Sequence, residues 1–362
     1  ILGGGAVKIS AAATANGSPT LTFASIPSLV LQGSTAAGAF NPAGNASIIL
    51  NRGNLVLDSK GATETGVGPT YNNAVQVLQN ATIQSVVNAA TTTLGSSTNG
   101  IAISSGKVLT LDAISGGRPG TDPGATLRIA GSIAGDSLTS LIIRSTQMNA
   151  GVTINATDAI ANSVAQQIGF AAQPGTVVLA GNNSTFLGAV TIEPGAGLRV
   201  EGPLALSGKN LTLNGGTLAL VGDGDGTGGF EALAFNHNIS VLGSSTIAVG
   251  RAGTSYAPRY TLAANKVSQI SSLSLGRVTL SIANNDNSSL RVAGATTLNG
   301  VPTFNVNNGT ASNQTDGLVL NGVVSGNASL VKAGSGTLVL GNTGNTFNGT
   351  SSFATTAASG TN

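Results

Sequence analysis

Gly336-Thr337-Leu338-Val339-Leu340, followed by Thr346-Phe347 and Gly349, repeats an earlier stretch of the chain: Gly175-Thr176-Val177-Val178-Leu179, followed by Thr185-Phe186 and Gly188. The offset is 161 throughout, and 7 of the 14 positions from Gly to Gly are identical. A glycine, an apolar triplet, a small polar turn, a phenylalanine and a closing glycine describe one supersecondary unit used twice. Units of this kind bury their apolar face only by stacking on neighbours, so the pattern points to a solenoid. Gly175, Leu179, Phe186, Gly188, Gly336, Leu340, Phe347 and Gly349 are the positions expected to carry that stacking.

The flanks lengthen the repeat. Leu127-x-Ile129-x-Gly131-x-Ile133-x-Gly135 precedes the first copy, and Leu318-x-Leu320-x-Gly322-x-Val324-x-Gly326 precedes the second, at an offset of 191. The difference of 30 between the offsets predicts an insertion of that size ahead of Gly175, a surface excursion that leaves the stacked coil intact. Within it, Ile160, Val164 and Ile168 recur every four residues between Thr157 or Asp158 as a cap and Gly169 as a stop, which predicts a short amphipathic helix.

Apolar-x-apolar dyads run the whole length: Leu55-x-Leu57, Leu109-x-Leu111, Leu211-x-Leu213, Leu218-x-Leu220, Leu273-x-Leu275 and Val278-x-Leu280 are examples. Period-two spacing puts both side chains on one face of a short strand. Gly, Asn, Ser and Asp bound each dyad and supply the corners. A β-sandwich also uses short strands and glycine-rich turns, but a gapless repeat with recurring Gly-x-Leu-x-Leu units belongs to a solenoid. The expected fold is all-β: a right-handed parallel β-helix with surface insertions, each coil taking roughly 20–25 residues. Residues 1–350 form a single domain in this reading, with insertions at 61–100 and 136–172, a capping coil at the start, and a polar tail at 351–362.

Composition agrees. Charged residues make up 8% of the chain, aromatics 3%, and there are 52 glycines and no cysteine. Hydrophobic residues at 41% are too many for a disordered chain. A net charge of +2 without clustered Lys and Arg argues against a nucleic-acid partner. No run of 18 apolar residues suggests a membrane span. Few Lys and many Ser, Thr, Asn and Gly fit an exported bacterial surface protein, and a long stacked core does not need the disulfides that small secreted proteins use. The chain opens on Ile1 and not Met, which points to a processed protein or a segment of a longer one.

The stretch Gly326-Asn327-Ala328-Ser329-Leu330-Val331-Lys332-Ala333-Gly334-Ser335-Gly336 through Asn345-Thr346-Phe347-Asn348-Gly349 resembles the passenger-associated repeat of bacterial autotransporters. The resemblance covers about 24 residues; the copy ending at Gly188 is a degenerate second instance. It implies a right-handed parallel β-helix displayed on the outer cell surface or released from it, in which the repeat serves structure and export and carries no catalytic residue.

Candidate chemistry is sparse. Asp223 and Asp225 in Gly222-Asp-Gly-Asp-Gly226 offer two oxygen donors suited to calcium, but without the iterated glycine–aspartate units of a calcium-binding β-roll they read as a solvated turn. His237, the only histidine, has no Gly-x-Ser-x-Gly partner and reads as a polar surface residue. Glu193 and Glu201 are the pair that a glycoside-cleaving enzyme would bring together; each also fits an exposed turn. Tyr256, Tyr260, Arg251 and Arg259 form an aromatic–basic cluster suited to sugar or partner contact. Asparagines at corners are expected to stack into hydrogen-bonded ladders. No enzyme, cofactor or metal is expected. The function expected is that of a rigid, extracellular structural or adhesive passenger, partnered by itself, by other cell-surface molecules or by surface glycans. A subunit of a self-assembling fibre or surface layer is the alternative, and a carbohydrate-active β-helix enzyme a weaker one.

Overall fold

The computed structural model describes residues 6–9, 20–23, 28–34, 41–60, 66–86, 90–114, 124–146, 175–206, 208–222, 232–250, 267–284, 288–308, 317–349 and 352–353. The chain divides into two compact units, 1–198 and 199–362. Each is a parallel β-helix in which every coil lays down up to three short strands, and each strand pairs in parallel with its counterpart one coil away.

In the first unit one stack holds Ser28–Ser34, Gly53–Lys60, Ala81–Ser85, Val108–Ala113, Ser140–Arg144 and Ala189–Ile192. A second holds Gly66–Tyr71, Ala90–Leu94, Thr126–Ile129 and Thr176–Leu179. A third holds Thr20–Phe23, Ser47–Leu50, Val75–Val77, Ile101–Ile103 and Ile133–Ala134. The second unit also has three stacks. One runs from Asn210–Asn214 to Val324–Ser325, one from Thr217–Val221 to Ser352–Phe353, and one from Ala232–Ala234 to Leu338–Leu340.

Alternation along each strand sends the dyads inward, and parallel pairing lines them up from coil to coil. Leu29, Leu55, Ile83, Leu111, Ile143 and Ile192 stand in register as one continuous row, each with 1% exposure or less. At the roughly 4.8 Å spacing of paired strands, neighbouring side chains in such a row touch directly. Burying each contributes about 1.5–3 kcal/mol relative to exposure.

Four expectations need correction. Residues 61–100 are not an insertion: Gly66–Tyr71, Val75–Val77, Ala81–Ser85 and Ala90–Leu94 are ordinary coil strands. Their periodicity is masked because Ala and Thr hold inward positions; Thr92 is fully buried in the strand Ala90–Leu94. The insertion expected at 136–172 cannot begin at 136, since Ser140–Arg144 is a regular strand paired on both sides; the helix expected at 157–169 lies outside the described residues. At 351–362, Ser352–Phe353 pairs with Val331–Ala333 and so belongs to a stack; the rest of that stretch lies outside the described residues. The expected 20–25 residues per coil holds for only some coils. In-register partners lie 20 apart at Leu318 and Leu338, 22 at Ala6 and Ser28 and 24 at Thr279 and Thr303, but 32 at Val108 and Ser140 and 35 at Thr91 and Thr126. Corners of different length between the same short strands account for the spread. At the start, Ala6–Ile9 pairs with Ser28–Ser34.

Candidate functional site

The repeat positions explain themselves in the first copy. Val177 and Leu179 are fully buried in the strand Thr176–Leu179, and Phe186 is fully buried at the following corner. Gly175 and Gly188 are glycines because a Cβ at either would run into backbone of the previous coil, the carbonyl of Ala113 for Gly175 and that of Thr139 for Gly188. The second copy repeats the construction: a Cβ on Gly349 would meet the Ser329 amide, and the Gly336 N–H donates to the Val306 carbonyl at 2.7 Å. One backbone bond is common to both. Leu187 N–H donates to Gly135 O at 2.8 Å, and Asn348 N–H donates to Gly326 O at 2.9 Å. Leu340 is 36% exposed, and Phe347 is half-buried.

Both copies also use an asparagine that the gapless alignment misplaces. Asn183 Oδ1 accepts from the Ile133 N–H at 2.6 Å, and Asn345 Oδ1 accepts from the Val324 N–H at 2.8 Å. Ile133 and Val324 correspond at the flank offset, but the asparagines are 162 apart, so each aligns with a Gly or Ser of the other copy. The signal was present as an Asn in each turn before Thr-Phe; its one-residue slip hid it.

The insertion ahead of the first copy has a stitched base. The Gly175 N–H donates to Ser145 Oγ at 2.8 Å. Thr146 donates its N–H and hydroxyl to the two oxygens of Asp112, at 2.9 and 2.6 Å. Asp112, 3% exposed, also accepts from Gln84 Nε2 at 2.9 Å. Beside it in register, Arg144 grips Glu193 through two bonds of 2.7 and 3.1 Å, and this partner raises the guanidinium pKa, with Asp112 adding to the effect. A polar ladder, Gln84–Asp112–Arg144–Glu193, thus climbs one end of a stack. With Arg144 and Glu193 both substantially exposed, this ion pair is worth only about 0–1 kcal/mol.

Glu193 and Glu201 therefore each have an arginine: Glu201 accepts from Arg199 Nε at 3.1 Å. Each carboxylate is engaged in its own ion pair. His237 is corrected outright. It is fully buried, because Phe235, His237, Ile239 and Val241 alternate inward along the chain, a parity visible in the sequence. Burial pushes its pKa down to about 4. Lys209, overlooked in the sequence, is largely covered beside it. Tyr71 is core: its hydroxyl lies 2.8 Å from the Leu31 carbonyl and 2.5 Å from that of Asp58, donating to one at a time. The expected asparagine ladders occur as short pieces, inward at Asn41–Asn73 (2.6 Å) and outward at Asn210–Asn238–Ser272 (3.1 and 2.8 Å). Asp223, Asp225, Arg251, Tyr256, Arg259 and Tyr260 lie outside the described residues.

Two surface features complete the inventory. A groove of about 490 Å³ crosses the outer side of the first unit's third stack, lined by Ser47, Ala74, Gly100 and Ser132 in one row and Ile49, Gln76, Ala102 and Ala134 in the next. Leu138 and Leu187 stand out at corners, 71% and 60% exposed. Among the described residues no group of three or more His, Asp or Glu could hold a metal ion, and no helix is long and apolar enough to cross a membrane. Comparison with protein-family models, with curated proteins and with solved structures finds no match.

Proposed function

We propose that this chain is a structural β-helix of the bacterial cell surface, whose coils form a rigid scaffold and whose corner insertions meet other surface molecules or glycans. The observation that carries this reading is the register across the longest coil. Ser140–Arg144 pairs with Ala189–Ile192 without a slip, although Arg144 and Glu193 are 49 residues apart where other coils need 20–35. The extra chain enters and leaves at one stitched corner, which is the economy expected of a scaffold that carries variable loops. The match of 326–349 to the autotransporter passenger repeat supports export to the surface as the setting.

The test is a binding titration of labelled chain on bacterial cells and on an array of surface glycans, beside a variant with residues 147–174 removed. Saturable binding that the deletion abolishes is the expected result; no saturable binding to any cell or glycan would sink the adhesive role. One observation favours the fibre alternative: among the described residues, Leu338–Leu340 pairs with Leu318–Leu320 alone. An unpaired edge of this kind accepts another strand. Electron microscopy across a dilution series separates the two, since fibres that persist on dilution would move self-assembly to first place.

A further inference from the structure

The second unit buries a pair of groups that the scaffold does not need. Lys209 and His237 occupy inward positions on adjacent coils, one residue ahead of the in-register pair Asn210 and Asn238. His237 has no exposed surface, and neither ring nitrogen reaches hydrogen-bonding geometry with any group. A buried imidazole without partners is already costly when neutral. Protonated, it would need two acceptors.

We propose that the step between the strands Asn210–Asn214 and Asn238–Gly243 is an acid-sensitive latch, closed by the neutral imidazole of His237 packed beside Lys209 and opened locally when that ring takes up a proton. The surroundings offer the imidazolium almost nothing. Burial is the dominant effect against the protonated ring; from the preceding coil the Lys209 carbonyl partly offsets it, and the Lys209 ammonium, the facing charge, adds a smaller repulsion. On its own segment His237 lies between Phe235, whose ring centroid is 6.2 Å away, and Ile239, both apolar. From the following coil, Ser271 and Ser272 present backbone N–H groups to the His237 carbonyl and leave the ring alone. No carboxylate among the described residues acts on its ionisation. Burial also lowers the Lys209 pKa, so the site resists a second positive charge.

The latch is bounded by bonds that report on it. Gly208 N–H donates to Phe235 O at 3.1 Å and Asn238 N–H to Lys209 O at 3.2 Å, so the two coils are tied on either side of the ring. Asn236, just before the histidine, has φ +56°, a left-handed turn that asparagine tolerates better than most residues. The corner is therefore a tight one, held by these bonds.

The direction with pH follows from the folded value of about 4 lying below the ordinary 6.5. The opened state binds the proton more readily, so closure is at full strength above about pH 6.5 and weakens as pH falls toward 4. At pH 5 the opening constant is expected to rise about 20-fold over its value at neutral pH. As the only histidine in the chain, His237 has this window largely to itself.

The experiment is hydrogen exchange of the full chain from pH 7.5 to 4.5, corrected for intrinsic exchange rates and read at Gly208 and Asn238. The expected result is loss of protection there on acidification, while Ile101 and Ile133 of the first unit keep theirs. His237→Met and His237→Gln should abolish the pH dependence, and Lys209→Met should weaken it, because removing the neighbouring cation brings the buried ring closer to its ordinary proton affinity. Unchanged protection in the wild-type chain would overturn the proposal, as would the same acid response in either histidine variant or a stronger one in Lys209→Met. Should the histidine variants fail to fold, the wild-type comparison between the two sets of amides still decides.

Discussion

The stretches 175–188 and 336–349 share half their residues and one backbone construction, yet they differ in what they bury. Leu179 and Phe186 are sealed; Leu340 is 36% exposed and Phe347 only half-covered. The first copy has coil on both sides: Thr176–Leu179 pairs with Thr126–Ile129, and Gly175 O accepts from Gly197 N–H at 3.1 Å. Among the described residues, Leu338–Leu340 pairs on one side only. The motif therefore encodes a bend and a direction for its side chains, while burial is conferred by the next coil. This is the nearest-neighbour logic of a solenoid, in which a repeat paired on one side has half of the interface energy of one paired on both.

The comparison can be tested at three depths. The largest effect is expected at the phenylalanines. Phe186→Ala should cost about 3–5 kcal/mol in the unit that contains it, and Phe347→Ala less than about half of that, both read by chemical denaturation with a probe in each unit. Equal losses would mean that the second copy is covered as well as the first. Next come the asparagines. Asn183→Ala strands the Ile133 N–H inside the fold and should cost about 1–3 kcal/mol. The same change at Asn345, which is half-buried, leaves the Val324 N–H nearer to solvent and should cost less. If Asn345→Ala proves the costlier, the two turns are not equivalent. The smallest effect is expected from removing residues 147–174. That brings the first copy to within two residues of the spacing of the second, and because closure cost grows only slowly with loop length, stability should shift by about 1 kcal/mol or less. A collapse of the first unit in thermal unfolding would show that those residues support the coil.

Much of this fold was legible. Dyads at period two marked the inward faces, and of those quoted, Leu55–Leu57, Leu109–Leu111 and Leu211–Leu213 are buried as expected. Val278 is not: the strand begins at Thr279, and Leu280 and Ile282 carry its inward face. Two neighbouring apolar pairs can share a residue's parity without sharing a strand, and only pairing across coils resolves them. Residues 66–94 failed for a related reason. Their inward positions are filled partly by Ala, Ser and Thr, which periodicity does not count as apolar, yet Ser85 and Thr92 are fully buried by the larger residues of adjacent coils. His237 differs again: its inward parity is readable beside Phe235 and Ile239, but a lone polar side chain without a catalytic partner reads as exposed.

From the sequence alone came the all-β class, the stacked repeat, the inward dyads, and the placement of a long insertion ahead of Gly175, because each depends on residues near one another in the chain. Only the tertiary structure decided three strands per coil, the spread of coil lengths, the burial of His237 beside Lys209, and the exposure of the second copy. The physical reason is that a parallel ladder joins residues 20–50 positions apart. A side chain's surroundings are set by coils whose registration no local pattern records.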